Sequence, residues 1–171
     1  DRRDGRQQVS GSAEPVEGIV RIPLRRFEDE RGWFCELRRE SLLPKRTVQT
    51  NVSLSRRGVI RGLHYHERGQ DDLFVCLQGT ARVVVLDRGS GEMYTEDIGD
   101  DNPVALYIPG RHAHGFEALT DLLFAYHVTE EYNAADPDEQ GIPWDDPRVK
   151  DLWSTRTPIL SARDREAAAA S

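Results

Sequence analysis

Four of the five histidines in this chain fall into two short clusters, and these are the residues best suited to chemistry. His64 and His66 form the first cluster, and His112 and His114 form the second about fifty residues later. Imidazole titrates near neutral pH, so it can move a proton or ligate a metal. Residues two apart on a strand share a face, so each pair can point into one barrel interior. The spacing therefore predicts a single site shared by two strands.

Two kinds of chemistry remain open for that site. In the first, one histidine is a general base, which needs a carboxylate to orient it and a separate acid. In the second, His64, His66 and His114 bind a divalent metal together with the nearby carboxylate of Asp72. A simpler interpretation treats His66 and His112 as partly exposed polar residues at the mouth of a barrel.

Other candidates have equally simple alternatives. Tyr126 lies in an apolar strand, where it is either a core residue or a phenol that faces a cavity as an acid. Asp164 follows Ser161 as a helix-start carboxylate would follow its N-cap, yet it could also orient a base. Arg31 and Arg61 each lie beside a glycine, where a planar guanidinium can bind phosphate.

The elements that must position these residues are short strands. Turn signals separate apolar runs along most of the chain, which is typical of an all-β sandwich or barrel. The expected strands are 18–22, 33–37, 47–54, 59–66, 73–77, 81–87, 94–98, 104–108, 115–118 and 122–129. The continuously apolar run 83–86 predicts a strand covered on both faces. Residues 132–153 predict an irregular segment that packs its two tryptophans against the barrel. Helix-like pieces are confined to 39–43 and 164–170.

Composition limits the class of protein. The 171 residues suit one domain, expected over 18–171, preceded by a polar arm over 1–17 that is disordered or artificial. A net charge of −7 without a basic patch argues against nucleic-acid binding. No apolar run is long enough for a membrane span. Cys35 and Cys76 are expected to be reduced core thiols, which predicts a cytoplasmic protein.

An ordered set of motifs resembles the dTDP-4-dehydrorhamnose 3,5-epimerase family, nucleotide-sugar epimerases of the cupin superfamily. The motifs are DERGWFCE at 29–36, QTNVS at 49–53, VIRGLHY at 59–65, IPG at 108–110, AHGF at 113–116, EYN at 131–133, IPWDDP at 142–147 and LSARD at 160–164. The resemblance covers roughly residues 18 to 165. It implies an all-β, cupin-type double-stranded jelly-roll barrel with short peripheral helices.

The resemblance also assigns roles to residues. It implies that His64 removes a proton next to the C4 ketone of the sugar and that Asp164 is its dyad partner. It implies that Tyr126 returns a proton on the opposite face. The nucleotide-sugar substrate is expected to be dTDP-linked. The residues that would bind it are Arg31 and Arg61 at the diphosphate, Phe34 and Glu36 at the thymine base, and Gln49, Asn51, His66, Asp72 and His114 elsewhere in the pocket.

Assembly and cofactor use follow from the same resemblance. It implies a homodimer that exchanges N-terminal strands, with Arg31 reaching across to the partner. It implies that the reaction uses no metal and no other cofactor, and it gives no role to nucleic acid or membrane. The reaction would serve deoxysugar or natural-product biosynthesis.

The chain departs from this family at two positions in the site. Asp72 stands where the family usually has a lysine that stabilises the enolate, and His66 stands where it usually has glutamine. Three alternatives follow. The protein is a monofunctional or altered epimerase at C3 or C5, a sugar-nucleotide binder that does not epimerise, or a metal-dependent cupin enzyme that uses His64, His66, Asp72 and His114. The retention of His64, Tyr126 and Asp164 favours proton transfer.

Overall fold

Twelve short strands make up most of the fold in a computed structural model that describes residues 15–170. The first six strands are β1 (Val20–Pro23), β2 (Arg26–Asp29), β3 (Gly32–Cys35), β4 (Gln49–Ser55), β5 (Ile60–Tyr65) and β6 (Asp72–Gln78). The others are β7 (Thr80–Leu86), β8 (Met93–Gly99), β9 (Val104–Ile108), β10 (Ala113–Ala118), β11 (Leu122–Val128) and β12 (Gln140–Gly141). Two 3₁₀ turns, Glu40–Leu42 and Lys150–Leu152, and one helix, α1 (Ala162–Ala169), complete the described elements.

The strands form two five-stranded sheets that face each other. The first sheet has the order β1-β9-β6-β11-β4, and the second has the order β12-β5-β10-β7-β8. Strands β2 and β3 form a separate hairpin. The ladders between named strands are antiparallel, and most join strands that are distant in sequence, as in a jelly roll. The all-β prediction is therefore confirmed.

Aromatic and β-branched side chains fill the space between the sheets. Phe116 stacks on Phe124 with 4.0 Å between ring centroids, and Phe74 meets Phe124 edge to face at 5.1 Å. Along β7, Val83 and Val85 enter this inner core, whereas Val84 and Leu86 pack on the opposite face. The prediction that this strand is covered on both faces is confirmed.

The segment after β11 covers the outer face of the second sheet. Trp153 is 2% exposed, and its indole Nε1 donates a hydrogen bond to the carbonyl oxygen of Trp144 at 2.8 Å. Both tryptophans belong to the outer cluster that includes Val84 and Leu86. This confirms the expected packing of the irregular segment, which lets it anchor the cavity wall described below.

Some elements differ from the sequence prediction. Strand β2 was not predicted because Phe27 is its one apolar residue among charged neighbours, and β12 has only two residues. Of the expected arm, residues 1–14 lie outside the described part of the chain, whereas Val16 is 4% exposed and packs in the inner core. Cys76 is buried and Cys35 half-buried, and both are free thiols. None of the helices over residues 15–170 is long and apolar enough to cross a membrane.

Two glycines allow β5 and β10 to cross closely beside the histidines. Gly62 has φ +136°, and a Cβ there would lie 2.8 Å from the Cα of Gly115. A Cβ on Gly115 would lie 2.4 Å from the carbonyl oxygen of Arg61. Only glycine fits such a close backbone approach. The crossing puts His64 directly opposite His114 in the ladder.

Candidate active site

A cavity of about 840 Å³ opens between the two sheets at one end of the barrel. Strands β4, β6 and β11 of the first sheet and β5 and β10 of the second contribute to its walls. The segments 130–139 and 159–164 close its rim. Of the residues that the sequence singled out, those that line it are Gln49, Asn51, Arg61, His64, His66, Asp72, His114, Tyr126 and Asp164.

His64 and Asp164 form a hydrogen-bonded pair in this cavity. Nε2 of His64 lies 2.8 Å from Oδ1 of Asp164, and the other carboxylate oxygen accepts from the backbone N–H of Gly62 at 3.2 Å. Asp164 lies in the first turn of α1, which Ser161 caps by accepting from the Asp164 N–H. An ionised carboxylate can accept a hydrogen bond but cannot donate one. The proton in this bond is therefore on Nε2 of His64, and Nδ1 is left as the basic nitrogen. The pair has the geometry of an oriented general base.

Asp164 is held ionised by its neighbours. Burial alone would raise the pKa of this carboxyl group, but the hydrogen bond and charge of His64, with the Gly62 N–H, bring the pKa below its ordinary value. An ionised carboxylate stabilises the imidazolium that forms when His64 takes up a proton.

Glu139 was missed by the sequence interpretation and lies on the other side of His64. Its Oε1 is 3.3 Å from Nδ1 of His64, and Arg163 holds it through an ion pair at 2.6 Å. Nδ1 can accept a substrate proton only when this carboxylate moves aside. The acidic run at 136–139 was its only sequence signal, and it indicates no partner.

Tyr126 faces the cavity from the opposite sheet. It lies on β11, where it pairs with Asn51 of β4 and Phe74 of β6. Burial is the main cause of a raised pKa at the Tyr126 hydroxyl, and the negative charges of Asp72 and Glu139 add to it. A phenol that keeps its proton at neutral pH can donate it to a carbanion.

His66, Asp72 and His114 form a buried cluster in the cavity wall. Oδ2 of Asp72 lies 3.1 Å from Nε2 of His114 and 3.8 Å from Nε2 of His66. Burial would raise the pKa of Asp72, but the hydrogen bonds and charges of the two imidazoles bring it far below its ordinary value. Burial would lower the pKa of His66, yet Asp72 and the Asp138 carbonyl raise it.

The expectation that His66 and His112 are partly exposed at the barrel mouth is wrong. They are only 6% and 1% exposed, because the chain around Gly110 packs against His66 and the segment before β1 packs over His112. Nε2 of His112 lies 2.7 Å from the carbonyl oxygen of Glu17, and His112 is absent from the cavity lining of the described chain. Its role there is structural.

Further polar side chains, from β4 of the first sheet, β5 of the second sheet and the loop between β5 and β6, complete the wall. The Gln49 amide donates to Asn51 at 3.0 Å and accepts from the Tyr132 N–H at 2.9 Å. Arg61 is anchored by Ser55, to whose hydroxyl its Nε donates at 2.9 Å. Arg68 and Gln70 also line the cavity, and neither was among the predicted site residues. These residues thus offer hydrogen bonds and, at Arg61 and Arg68, two local positive charges to a polar ligand.

Three predicted substrate contacts lie away from this cavity within one chain. Arg31 pairs with Asp29 and has a side chain that is 86% exposed. Phe34 is 70% exposed, and Glu36 forms an ion pair with Arg39 at 2.7 Å. Phe34 and Glu36 line a smaller groove beside the β2–β3 hairpin. Their role in binding stays a prediction.

The Asp164–His64 pair predicts an acid-dependent contribution to stability. The folded-state pKa of Asp164 lies below the unfolded value of about 3.9, so the stabilisation is present above that pH and is lost as the pH falls through the folded pKa. We expect Asp164→Asn to lower Tm more at about pH 6 than at about pH 3, since the amide mimics the protonated acid. Thermal melts of both proteins at both pH values check this, and an equal loss of Tm would contradict it.

A comparison with protein families gives one match over nearly the whole chain. Residues 13–171 match the family model described as dTDP-4-dehydrorhamnose 3,5-epimerase. The range includes every cavity residue described above.

Individual proteins give the same result. The spore coat polysaccharide biosynthesis protein SpsL of Bacillus subtilis is 40% identical over 149 residues, which cover 82% of this chain and 97% of that protein. A dTDP-4-dehydrorhamnose 3,5-epimerase of Methanothermobacter thermautotrophicus is 37% identical, with 88% of each chain covered. The crystal structure of NovW, a 4-keto-6-deoxy sugar epimerase from the novobiocin biosynthetic gene cluster of Streptomyces spheroides, has a TM-score of 0.81 and 30% identity over 91% of this chain and 84% of NovW.

Proposed function

The chain belongs to the dTDP-4-dehydrorhamnose 3,5-epimerase family, and on this premise we propose the reaction that its cavity performs. The protein is an isomerase that inverts C3, C5 or both in a nucleotide-activated 4-keto-6-deoxyhexose. The jelly-roll fold is that of the family. One observation supports the residue assignment above all. The His64–Asp164 pair and Tyr126 face the same cavity, and His64 and Tyr126 lie on opposite sheets.

His64 is the proposed base. A C–H bond beside the C4 ketone is acidic because the carbanion is delocalised as an enolate. Nδ1 of His64 takes this proton after the substrate displaces Glu139, and Asp164 stabilises the resulting imidazolium through Nε2. The buried carboxylate also fixes the ring orientation, so that the basic nitrogen is directed at the substrate.

Tyr126 is the proposed acid. It belongs to the first sheet, whereas His64 belongs to the second, so the two groups reach a bound sugar ring from different sides. Removal of a proton on one face and return on the other inverts the carbon centre. The raised pKa of the phenol keeps the proton in place until the enolate forms.

The remaining assignments concern substrate binding and assembly. We propose that Arg61 binds the diphosphate and that Gln49 and Asn51 contact the sugar. We also propose that two chains associate and that the β2–β3 hairpin contributes Arg31, Phe34 and Glu36 to the site of the partner. The support is that Phe34 is 70% exposed and Trp33 48% exposed on this hairpin, which leaves apolar surface for a second chain to cover.

A second candidate function is nucleotide-sugar binding without epimerisation. Its support is that the cavity opposes the negative enolate on which epimerisation depends, since the described lining holds seven carboxylates and two arginines. Asp72 lies among these carboxylates and would repel an enolate as an uncompensated negative charge.

Proton exchange decides between the two functions. We expect the purified protein, mixed with dTDP-4-keto-6-deoxyglucose in deuterated water, to remove the C3 proton signal, the C5 proton signal or both from the NMR spectrum. Exchange at one carbon identifies a monofunctional enzyme, and exchange at both identifies a 3,5-epimerase. Tight binding of the sugar nucleotide with no exchange at either carbon would contradict the isomerase and support the binder.

A further inference from the structure

His66, Asp72 and His114 lie close together in the cavity wall, with their potential ligand atoms near one another. One potential ligand atom from each lies within 4.8 Å of those of the other two, and all three residues are buried. The separation between Asp72 Oδ2 and His114 Nε2 is 3.1 Å. Two ligands at about 2.1 Å from one metal ion lie about 3.0–3.4 Å apart at angles between 90° and 109°. The cluster therefore needs only small side-chain shifts to surround one ion.

Backbone carbonyls fix the orientation of both imidazoles. Nδ1 of His66 donates to the carbonyl oxygen of Asp138 at 2.5 Å, and Nδ1 of His114 donates to that of His112 at 2.8 Å. A carbonyl oxygen can only accept, so in each neutral ring the proton is on Nδ1 and the lone pair is on Nε2. Both Nε2 atoms point at Asp72. A carbonyl partner on Nδ1 is the usual support for a metal-bound histidine.

The convergence of these atoms calls for a cation. Two lone pairs and one carboxylate oxygen repel one another unless positive charge lies between them, and either protons on the imidazoles or one metal ion can supply that charge. Gln70 supplies only partial compensation: its amide donates to Oδ1 of Asp72 at 2.9 Å and lies 3.3 Å from Nε2 of His66. The excess of carboxylates in the cavity adds attraction for a dication.

We infer that His66, Asp72 and His114 bind a divalent first-row transition metal, with an open coordination position toward the cavity. Two imidazoles and one carboxylate suit zinc, iron, cobalt or manganese better than magnesium or calcium, which prefer oxygen ligands. His64 is not a ligand, since its Nε2 is bound to Asp164, its Nδ1 faces Glu139, and it lies outside the cluster. A metal centre of this kind leaves the His64–Asp164 pair intact.

One consequence rests on the proposed function. A dication bound at Asp72 would replace negative charge on this wall with net positive charge. Positive charge beside the C4 oxygen stabilises an enolate. The carboxylate that opposes the chemistry when uncompensated would then contribute to it.

Cobalt binding tests the site without relying on activity. The full chain is dialysed against a chelator and titrated with Co²⁺, whose visible absorption reports ligation by nitrogen and oxygen, and Zn²⁺ is then added as a competitor. We expect about one Co²⁺ per chain, displaced by Zn²⁺. Asp72→Asn and His66→Gln should each weaken Co²⁺ binding at least about 100-fold, since even outer-sphere changes cost 10–100-fold. Circular dichroism checks that each variant is folded.

Two further variants make the test specific. His127→Gln removes a buried histidine that contacts Thr50 outside the cavity lining, and it should bind Co²⁺ as the unchanged chain does. His64→Asn should also bind normally, which separates this site from one that uses all four residues. The inference is overturned if the unchanged chain binds no Co²⁺ at millimolar concentration, or if folded Asp72→Asn and His66→Gln bind it equally well.

The same samples separate this inference from the proposed function. Proton exchange by a chain that binds no Co²⁺ would overturn the metal site and leave the epimerase intact. Stoichiometric Co²⁺ binding without exchange, in metal-free and metal-loaded samples alike, would support the site and contradict the epimerase.

Discussion

His64→Ala is expected to reduce the rate of substrate proton exchange by about 10³-fold, because it removes the base that is paired with Asp164. The loss should be seen in kcat, since Arg61 and Gln49 remain in the cavity to bind the substrate. NMR in deuterated water measures the exchange, and calorimetric titration with dTDP measures binding. Retained dTDP affinity with lost exchange is the expected combination.

The matched control for this variant is His127→Gln. His127 is buried on β11, where its Nδ1 lies 2.7 Å from the Thr50 hydroxyl, and it does not line the cavity of the described chain. We expect the His127→Gln variant to exchange substrate protons at nearly the rate of the unchanged chain. His64→Ala with more than about a tenth of the original exchange rate would exclude His64 as the base.

Tyr126→Phe is expected to separate proton removal from inversion. The base on the opposite sheet is untouched, so the enolate still forms and the substrate still exchanges its proton. Return of a proton on the far face needs the phenol, so net epimerisation should fall by about 10²–10³-fold. The measurement compares deuterium incorporation with retained configuration and formation of the epimer in the same sample.

Tyr65→Phe is the control for the loss of one hydroxyl. Tyr65 lies on β5 and stacks against the guanidinium of Arg88 at 3.6 Å, away from the cavity lining. We expect exchange and epimerisation to be unchanged in it. If Tyr126→Phe forms epimer as fast as Tyr65→Phe, another group returns the proton.

Much of the candidate site followed from residue type and order in the sequence. His64, two residues after Gly62, and Asp164, three residues after Ser161, were recognisable because local motifs include them. The structure brings His64 and Asp164 to 2.8 Å across a hundred residues of chain. That separation is not readable from local patterns, because it depends on α1 docking against β5. The family resemblance, rather than the periodicity of apolar residues, predicted that His64 and Asp164 form a pair.

Other site residues depended on tertiary structure alone. Glu139 belongs to a segment with no regular pattern, and it reaches His64 only because Arg163 and the rim hold that segment in place. Phe34 shows the reverse case: its motif predicts a substrate contact, but one chain leaves it exposed on a hairpin. Under the proposed association of two chains, the fold of one chain cannot show what Phe34 contacts.

The sequence by itself determined the all-β fold, since alternating and continuous apolar runs specify which strand faces are buried. It also determined the chemical types available to the site. Only the tertiary structure decided that Asp72 faces two imidazoles, because strands β6 and β10 belong to different sheets. The sequence left two alternatives for Asp72, a carboxylate that is unfavourable beside an enolate and a metal ligand shared with histidines. The folded chain surrounds that carboxylate with His66 and His114, whose Nδ1 protons are fixed by backbone carbonyls that no local pattern reveals.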